Sequence, residues 1–473
     1  MDFNQTNIIT MKRIQLNSLL AACIITLLSG CSKEYLEKKP YNALPVDQAI
    51  KTEADLLIAV RGTYAGLRNL DLYGRTMPLL GDLMGDNTYQ SVTNSNRYTL
   101  YNQYAMSVAD GNALNMWTAA YNVILRANNI INANLEETAA IKSYKGEAYA
   151  IRGLMYFELL RFFSKPYAES TTANGVPVVL AFNPTDKPSR KSVAEVYTQV
   201  LSDLGQAYSL LGAYSNSSRI SKYAAKAIEA RVLLTKGDKA AALTAALEVI
   251  NSNEFTLTDE SNHVAYWRNP APLTNKLETL FEVSSDGVSN LSFDALGYIY
   301  NQNGYGDFLC ADDLYALFAD TDVRKLLLEE GTRGGAPGVF VKKYTNITTD
   351  RDDTKVIRLS EVYLIAAEAS LATDEVAARD FLNAVATRRD PDFAGYTSTG
   401  AALLEDILTE RRKELAFEGQ RFHDLNRLKR PIVRSTNFPA AARNIPYPFD
   451  KRLLPIPQSE QDANPNIAPN PGY

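Results

Sequence analysis

The chain has 473 residues, 46% of them hydrophobic, which is enough for a large buried core and roughly two to three domain-sized units. Formal net charge is −5, from 49 basic and 54 acidic residues, and this excludes a general nucleic-acid binder, which needs a basic balance against phosphate. Tyr is abundant, at 27, and Trp scarce, at 2. A Tyr ring joins a flat apolar face to a hydroxyl and suits a binding surface, although helix seams absorb most of the 27.

The first segment reads as a targeting sequence. "MKRIQLNSLLAACIITLLSGCS" begins with Lys12 and Arg13 and continues as an apolar stretch from Ile14 to Leu28. That stretch is too short to span a bilayer and has the length of a secretory h-region. It closes with Leu28-Ser29-Gly30-Cys31, small residues before a Cys, the pattern of a bacterial lipoprotein signal. Met11 is the expected start, 1–30 the expected signal peptide, and Cys31 the expected acylated residue. Loss of Lys12, Arg13 and Asp2 would take the net charge to −6. Cys23 leaves with the h-region, so Cys310 is the one thiol that remains beside Cys31, and no internal disulfide framework is expected.

Residues 31–46, "CSKEYLEKKPYNALPV", read as a polar tether. Helical patterns then come in pairs: 52–68 with 115–134, 143–163 with 192–211, 221–237 with 238–252, and 357–372 with 374–390. Ala224, Ala227, Ala230, Ala366, Ala367 and Ala369 sit where helices must approach closely. The pair 221–252, with its "KGD" turn, has the length of a tetratricopeptide unit. Two inserts, 69–112 and 253–356, are rich in Gly, Asn, Asp and Tyr, and long inserts in a repeat scaffold carry function. "FEVSSDG" (281–287) and "VFVKKYT" (339–345) predict short strands there and no large sheet.

Catalytic and metal motifs are sparse. There are two His residues, His263 and His423, so no Cys/His zinc cluster of ordinary spacing can be built, and no metal or cofactor is expected. His423, inside a charged stretch, reads as a structural hydrogen-bonding group. No G-x-S-x-G elbow, Walker A loop, Rossmann fingerprint or EF-hand loop is present. Carboxylate pairs for glycoside hydrolysis stay open, because spacing alone does not reveal them.

"LTERRKELAFEGQRFHDLNRLKR" (408–430) mixes charge with Leu415, Phe417, Phe422, Leu425 and Leu428. At heptad spacing Leu404, Leu408, Leu415, Phe422 and Leu425 form a stripe that also contains Arg411 and Glu418. Charges on a buried face must be paired, so Arg411, Glu418, Arg421 and Asp424 are expected to be buried ion-pair members. Arg411 with Glu418 is one option, and groups on neighbouring helices another. Gly419 is expected to end the helix after Glu418, with a second helix from Gln420. The tail "LLPIPQSEQDANPNIAPNPGY" (453–473) predicts an extended strap, with Ile456, Ile467 and Tyr473 filling grooves.

These two stretches resemble the C-terminal signature of the SusD/RagB family of Bacteroidetes outer-membrane lipoproteins. "VIRLSEVYLIAAEA" (356–369), "EAYAIRGLMYFELLRFF" (147–163) and the lipobox at Cys31 match it too. Phe422, Gln420 and Gln461 depart from the commoner residues at their positions. The resemblance implies a mainly α fold, in which four tetratricopeptide-like helical pairs form a scaffold packed against an irregular, loop-rich region with few short strands. It implies an N-terminal helical region over 47–252, a loop-rich insert over 253–356 and a C-terminal region over 357–473. It also implies a role: a non-enzymatic lipoprotein on the outer face of the outer membrane, anchored by lipid on Cys31. Such proteins capture oligosaccharide or polysaccharide and act as lid for a SusC-like TonB-dependent transporter. An exported glycoside hydrolase and a protein-binding helical scaffold are the competing readings.

A sugar is best held by a flat aromatic platform flanked by amide, carboxylate or guanidinium groups. Helical aromatics such as Trp117 are committed to packing, which leaves three loops. "GDNTYQSVTNSNRYTLYNQY" (85–104) offers Tyr89 and Tyr98 beside Arg97, and "HVAYWRN" (263–269) offers Trp267 beside Arg268. "YIYNQNGYGDF" (298–308) offers Tyr300 and Tyr305 around Asn303. Trp267 is the first candidate, then Tyr89 and Tyr305, and the three loops are expected to converge at one edge of the scaffold.

Overall fold

The structure is a computed structural model, and it describes residues 49–473 except 270, 276 and 349–351. The signal peptide, Cys31 and the tether lie outside the described residues. Residues Thr52–Tyr473 form one compact unit.

Among the described residues, nine long helices build the scaffold, and local sequence sets most of their ends. Helix α1 (Glu53–Leu67) opens with a capping box: Asp55 N–H donates to Thr52 Oγ1 at 3.2 Å, and Thr52 N–H donates back to the Asp55 carboxylate at 3.0 Å. It packs on α2 (Gly111–Ile131), which packs on α3 (Ala139–Phe163). Helix α4 (Val193–Leu210) opens with a second capping box, Ser192 with Glu195, and lies on α3. Helix α5 (Lys222–Lys236) ends at Gly237, whose φ of +92° is the left-handed cap expected of the "KGD" turn. Asp238 then caps α6 (Lys239–Ile250), so two residues both stop one helix and start the next. Helix α6 packs on α7 (Leu359–Ser370), followed by α8 (Glu375–Arg389) and α9 (Gly400–Glu414). Each of the four expected helical pairs is in contact. Ala224, Ala227, Ala230, Ala366 and Ala367 are fully buried at the seams, where small side chains let backbones approach.

The strands are short. β1 (Thr88–Gln90), β3 (Phe308–Cys310), β5 (Ala336–Val341) and β4 (Leu328–Arg333) form an antiparallel sheet in the order β1-β3-β5-β4. β2 (Thr279–Val283) pairs with β6 (Thr354–Arg358), and β7 (Ile432–Val433) with β8 (Asn444–Ile445). The four-stranded sheet joins the first insert to the second, and this brings their loops together.

The tail runs along the scaffold as expected, with one difference. Leu454 N–H donates to Phe162 O at 2.8 Å, Gln458 N–H to Val108 O at 3.1 Å, and Asn470 Nδ2 to Phe163 O at 2.8 Å. Ile456 and Ile467 are buried and Tyr473 is half-buried. Residues Gln458–Ala463 nevertheless form a short helix, because the prolines flank that segment and none lies within it. Trp117 is core, as read, and its indole N–H donates to Glu460 in this helix at 3.2 Å.

Candidate functional site

The register of the sheet places three segments side by side: 91–99 after β1, 293–307 before and into β3, and the β4–β5 hairpin. Ser91 N–H donates to Asp307 O at 2.8 Å, and Ser95 N–H to the Asp307 carboxylate at 3.0 Å. Arg333 at the hairpin donates to Thr93 O at 3.2 Å and also to the Tyr305 carbonyl. Two glycines permit these approaches. A Cβ on Gly334, φ +57°, would lie 1.9 Å from Thr93 Oγ1, and one on Gly304 would lie 2.2 Å from Tyr298 O.

These contacts present a row of aromatic rings to solvent. Tyr305 meets Tyr298 edge-on at 5.0 Å between centroids, and Tyr298 meets Phe293 at 5.1 Å. Phe293 is 58% exposed, the two tyrosines are half-buried, and Asn303 beside them is exposed. The Arg97 guanidinium stacks over the Tyr305 ring at 4.2 Å and donates to Ser95 Oγ at 2.8 Å. Its pair with Asp307 is long, at 3.8 Å, and its side chain is 31% exposed. Flat rings beside guanidinium, amide and hydroxyl groups offer both contacts a sugar needs: stacking under C–H groups and hydrogen bonds to the hydroxyl rim.

Two of the three expected loops therefore converge, through Arg97 and Tyr305, but the chosen aromatics are mostly elsewhere. Trp267 is 2% exposed and cannot act as a surface platform. The short helix His263–Arg268 turns its ring inward, where the Lys343 ammonium lies 4.1 Å, the Lys355 ammonium 5.0 Å and the Arg358 guanidinium 5.1 Å from the ring centroid. Arg268, on the outer side of the same helix, is exposed and apart from the row. Tyr89 is buried against Phe438 at 6.1 Å. Tyr98 is buried, its hydroxyl accepting from Arg75 Nε at 3.0 Å. Tyr300 is fully buried, stacked on Tyr344 at 6.4 Å. Tyr305 and Asn303 remain at the surface, and Tyr298, Phe293 and Arg333 join them. In "YIY" the first Tyr faces out and the second in; periodicity over a five-residue helix was too short to separate them.

The charged stretch forms a buried ionic network. Arg358 at the end of β6 donates to Glu278 at 2.7 Å, to Glu414 at 2.9 Å and to Glu418 at 2.7 Å. Arg389 of α8 donates to Glu414 at 3.0 Å, and Arg324 to Glu410 at 2.6 Å. Burial would raise the carboxyls of Glu414 and Glu418, but the cations outweigh it: Arg389, Arg358 and Arg324 hold Glu414, and Arg358 and Lys343 hold Glu418, below the usual range. Burial pushes the Lys343 ammonium down to about 8. Arg411, Arg421, Asp424 and Glu418 are paired as expected, although Arg411 meets Asp424 at 3.2 Å rather than Glu418. Helix α9 ends at Glu414, earlier than expected, and its buried face runs through Leu403, Ile407, Leu408, Glu410, Arg411 and Glu414. Leu404 is only half-buried, so the heptad stripe was misplaced by one residue at its start.

His423 corrects another expectation: it is buried, and neither ring nitrogen has a hydrogen-bond partner. His263 does have one, Thr258 Oγ1 at 2.8 Å. Among the described residues, no group of three His, Cys, Asp or Glu side chains is placed to hold a metal ion.

A scaffold of paired helices thus displays loop-borne aromatics beside a buried ionic network. The comparisons with known proteins specify it. Residues 34–234 match a SusD-like family described as starch-binding and associating with the outer membrane, and residues 329–473 match the SusD family. A SusD superfamily protein from Bacteroides thetaiotaomicron superposes with a TM-score of 0.83 at 32% identity, covering 89% of this chain and 100% of that one. A Bacteroides vulgatus protein provisionally named for sugar binding superposes with a TM-score of 0.81 at 30% identity, covering 90% and 100%. SusD-like protein P2 of Formosa agariphila is 27% identical over 95% of this chain and 98% of its own length. The chain belongs to the SusD/RagB family.

Proposed function

We propose that the chain is a cell-surface lipoprotein that binds oligosaccharide or polysaccharide and delivers it, as a lid, to a SusC-like TonB-dependent transporter. The observation that carries this reading is the exposed row Tyr305, Tyr298 and Phe293, flanked by Arg97 and Asn303 and braced by Arg333. The binding role named for the relatives supports it, as does the outer-membrane association in the matching family's description. Attachment would come from lipid on Cys31; no helix among the described residues is long and apolar enough to cross a membrane. The chain binds without transforming its ligand on this reading. Incubating the mature protein with a polysaccharide panel, and following both retention and product release, tests it. Retention of one glycan class with no release of shorter products is expected. Release of products would make the protein a hydrolase, and retention of none would leave the scaffold reading.

A further inference from the structure

Two arginines meet at the Tyr305 end of the aromatic row, and both keep donors that the fold does not use. Arg97 lies over the Tyr305 ring and donates through Nη1 to Ser95 Oγ at 2.8 Å. Arg333 donates through Nε to Thr93 O at 3.2 Å and through Nη2 to the Tyr305 carbonyl. That leaves Nε and Nη2 of Arg97 and Nη1 of Arg333 without a hydrogen-bond partner among the described residues. All three nitrogens reach solvent, on side chains that are partly exposed.

The carboxylates of the three segments that build the row are committed. Residues 91–99 carry none. Asp307 is 1% exposed, accepts from Ser95 N–H at 3.0 Å and from Ser95 Oγ, and meets Arg97 only at 3.8 Å. Asp294 pairs with Arg75 at 2.8 Å, and Glu329 with Lys342 at 3.0 Å. Glu330 accepts from the Tyr315 hydroxyl at 2.9 Å, and strand alternation puts it on the face of β4 opposite Arg333. At Tyr305, two guanidinium groups therefore stand against one buried carboxylate, a surplus of positive charge. A guanidinium only donates, and its forked donors match the paired oxygens of a carboxylate or a sulfate. A neutral hydroxyl can accept from such a donor but leaves the charge unmatched. We infer that the row takes an acidic saccharide, a uronate or a sulfate ester, and that Arg97 and Arg333 hold its anionic group beside Tyr305. This rests on the reading of the row as a glycan surface and names the class of glycan.

The test titrates the mature protein with matched oligosaccharides. Oligogalacturonate, alginate and glucuronoxylan fragments are set against their carboxyl-reduced forms, and carrageenan and fucoidan fragments against their desulfated forms. One acidic member should bind about tenfold more tightly than its neutral form, and the set it belongs to tells carboxylate from sulfate. Arg97→Gln and Arg333→Gln should each weaken that member about fivefold. Arg333 also braces two loops, so if Arg333→Gln lowers the melting temperature, Arg97→Gln decides. No binding by any acidic member, or an acidic preference that persists unchanged in Arg97→Gln, overturns the inference. A neutral form that binds as tightly as its acidic partner, and loses affinity in Tyr298→Ala, also overturns it while leaving the row standing as a glycan surface.

Discussion

Arg358 and Glu414 meet at 2.9 Å with neither side chain more than 1% exposed, at the point where the strand leading into α7 touches the end of α9. Glu414 also accepts from Arg389 and Arg324, so one carboxylate ties two scaffold helices to the loop-rich insert. Its removal would take one carboxylate from each of three buried guanidinium groups, leaving Arg358 with Glu278 and Glu418, Arg389 with Glu278, and Arg324 with Asp322 and Glu410. Breaking a buried pair by deleting one partner costs about 3–5 kcal/mol. Glu414→Ala is therefore expected to lower the denaturation midpoint sharply. Glu418→Ala should cost less, because Glu418 meets two cations, Arg358 and Lys343, where Glu414 meets three. Calorimetry on the two variants checks the order, and equal melting temperatures for Glu414→Ala and wild type would refute the network's structural role.

Asp82 supplies a pH prediction. Its carboxylate is fully buried and accepts from Asn87 Nδ2 at 2.7 Å and Gly419 N–H at 2.7 Å. Burial outweighs these bonds and raises it from 3.8 to about 7. A carboxyl raised in the folded state binds its proton more tightly there than when unfolded. Its contribution to stability is therefore present below 3.8 and is lost as pH rises through about 7. His423 and His263 act the other way: burial lowers both below 6.5, so they withdraw stability as pH falls through that value. The readout is the difference between wild type and Asp82→Asn. Between pH 5 and pH 8 the wild type should lose stability relative to the variant as pH rises. A difference that stays flat across that interval contradicts an elevated Asp82.

Cys31 can be tested directly, although it lies outside the described residues. Two or three acyl chains hold a protein on a membrane where one does not. Cys31→Ala should move the protein from the membrane fraction to the soluble fraction in cells that lack the transporter. A membrane-bound Cys31→Ala protein in those cells would show another anchor.

The helical scaffold was legible in the sequence because its signals are local and repeated. The Thr52 and Ser192 capping boxes, the Gly237-Asp238 turn and the alanine seams each act within a few residues. The burial of charge on α9 was legible in kind, since Arg411 had to be paired. The partners of Glu414 were not, because they come from 324, 358 and 389, and no spacing rule links such distant positions. The aromatic row was legible as a pair of loops. Which rings face out depends on strand register and on the turn at Gly304. Trp267 shows the limit most clearly: a loop Trp beside an Arg looks like a sugar platform, yet here three cations from other segments draw it inward.

The central claim is that the row at Tyr305 and Tyr298 holds glycan while Trp267 holds the fold. Isothermal titration of the mature protein with the glycan it retains measures this most directly. Tyr305→Ala and Tyr298→Ala should each cost about 1–2 kcal/mol of binding, roughly a five- to thirtyfold loss, with the melting temperature nearly unchanged. Trp267→Ala should lower the melting temperature and leave the affinity of the folded fraction intact. Unchanged affinity in both tyrosine variants, with affinity lost in a stably folded Trp267→Ala, would contradict the account.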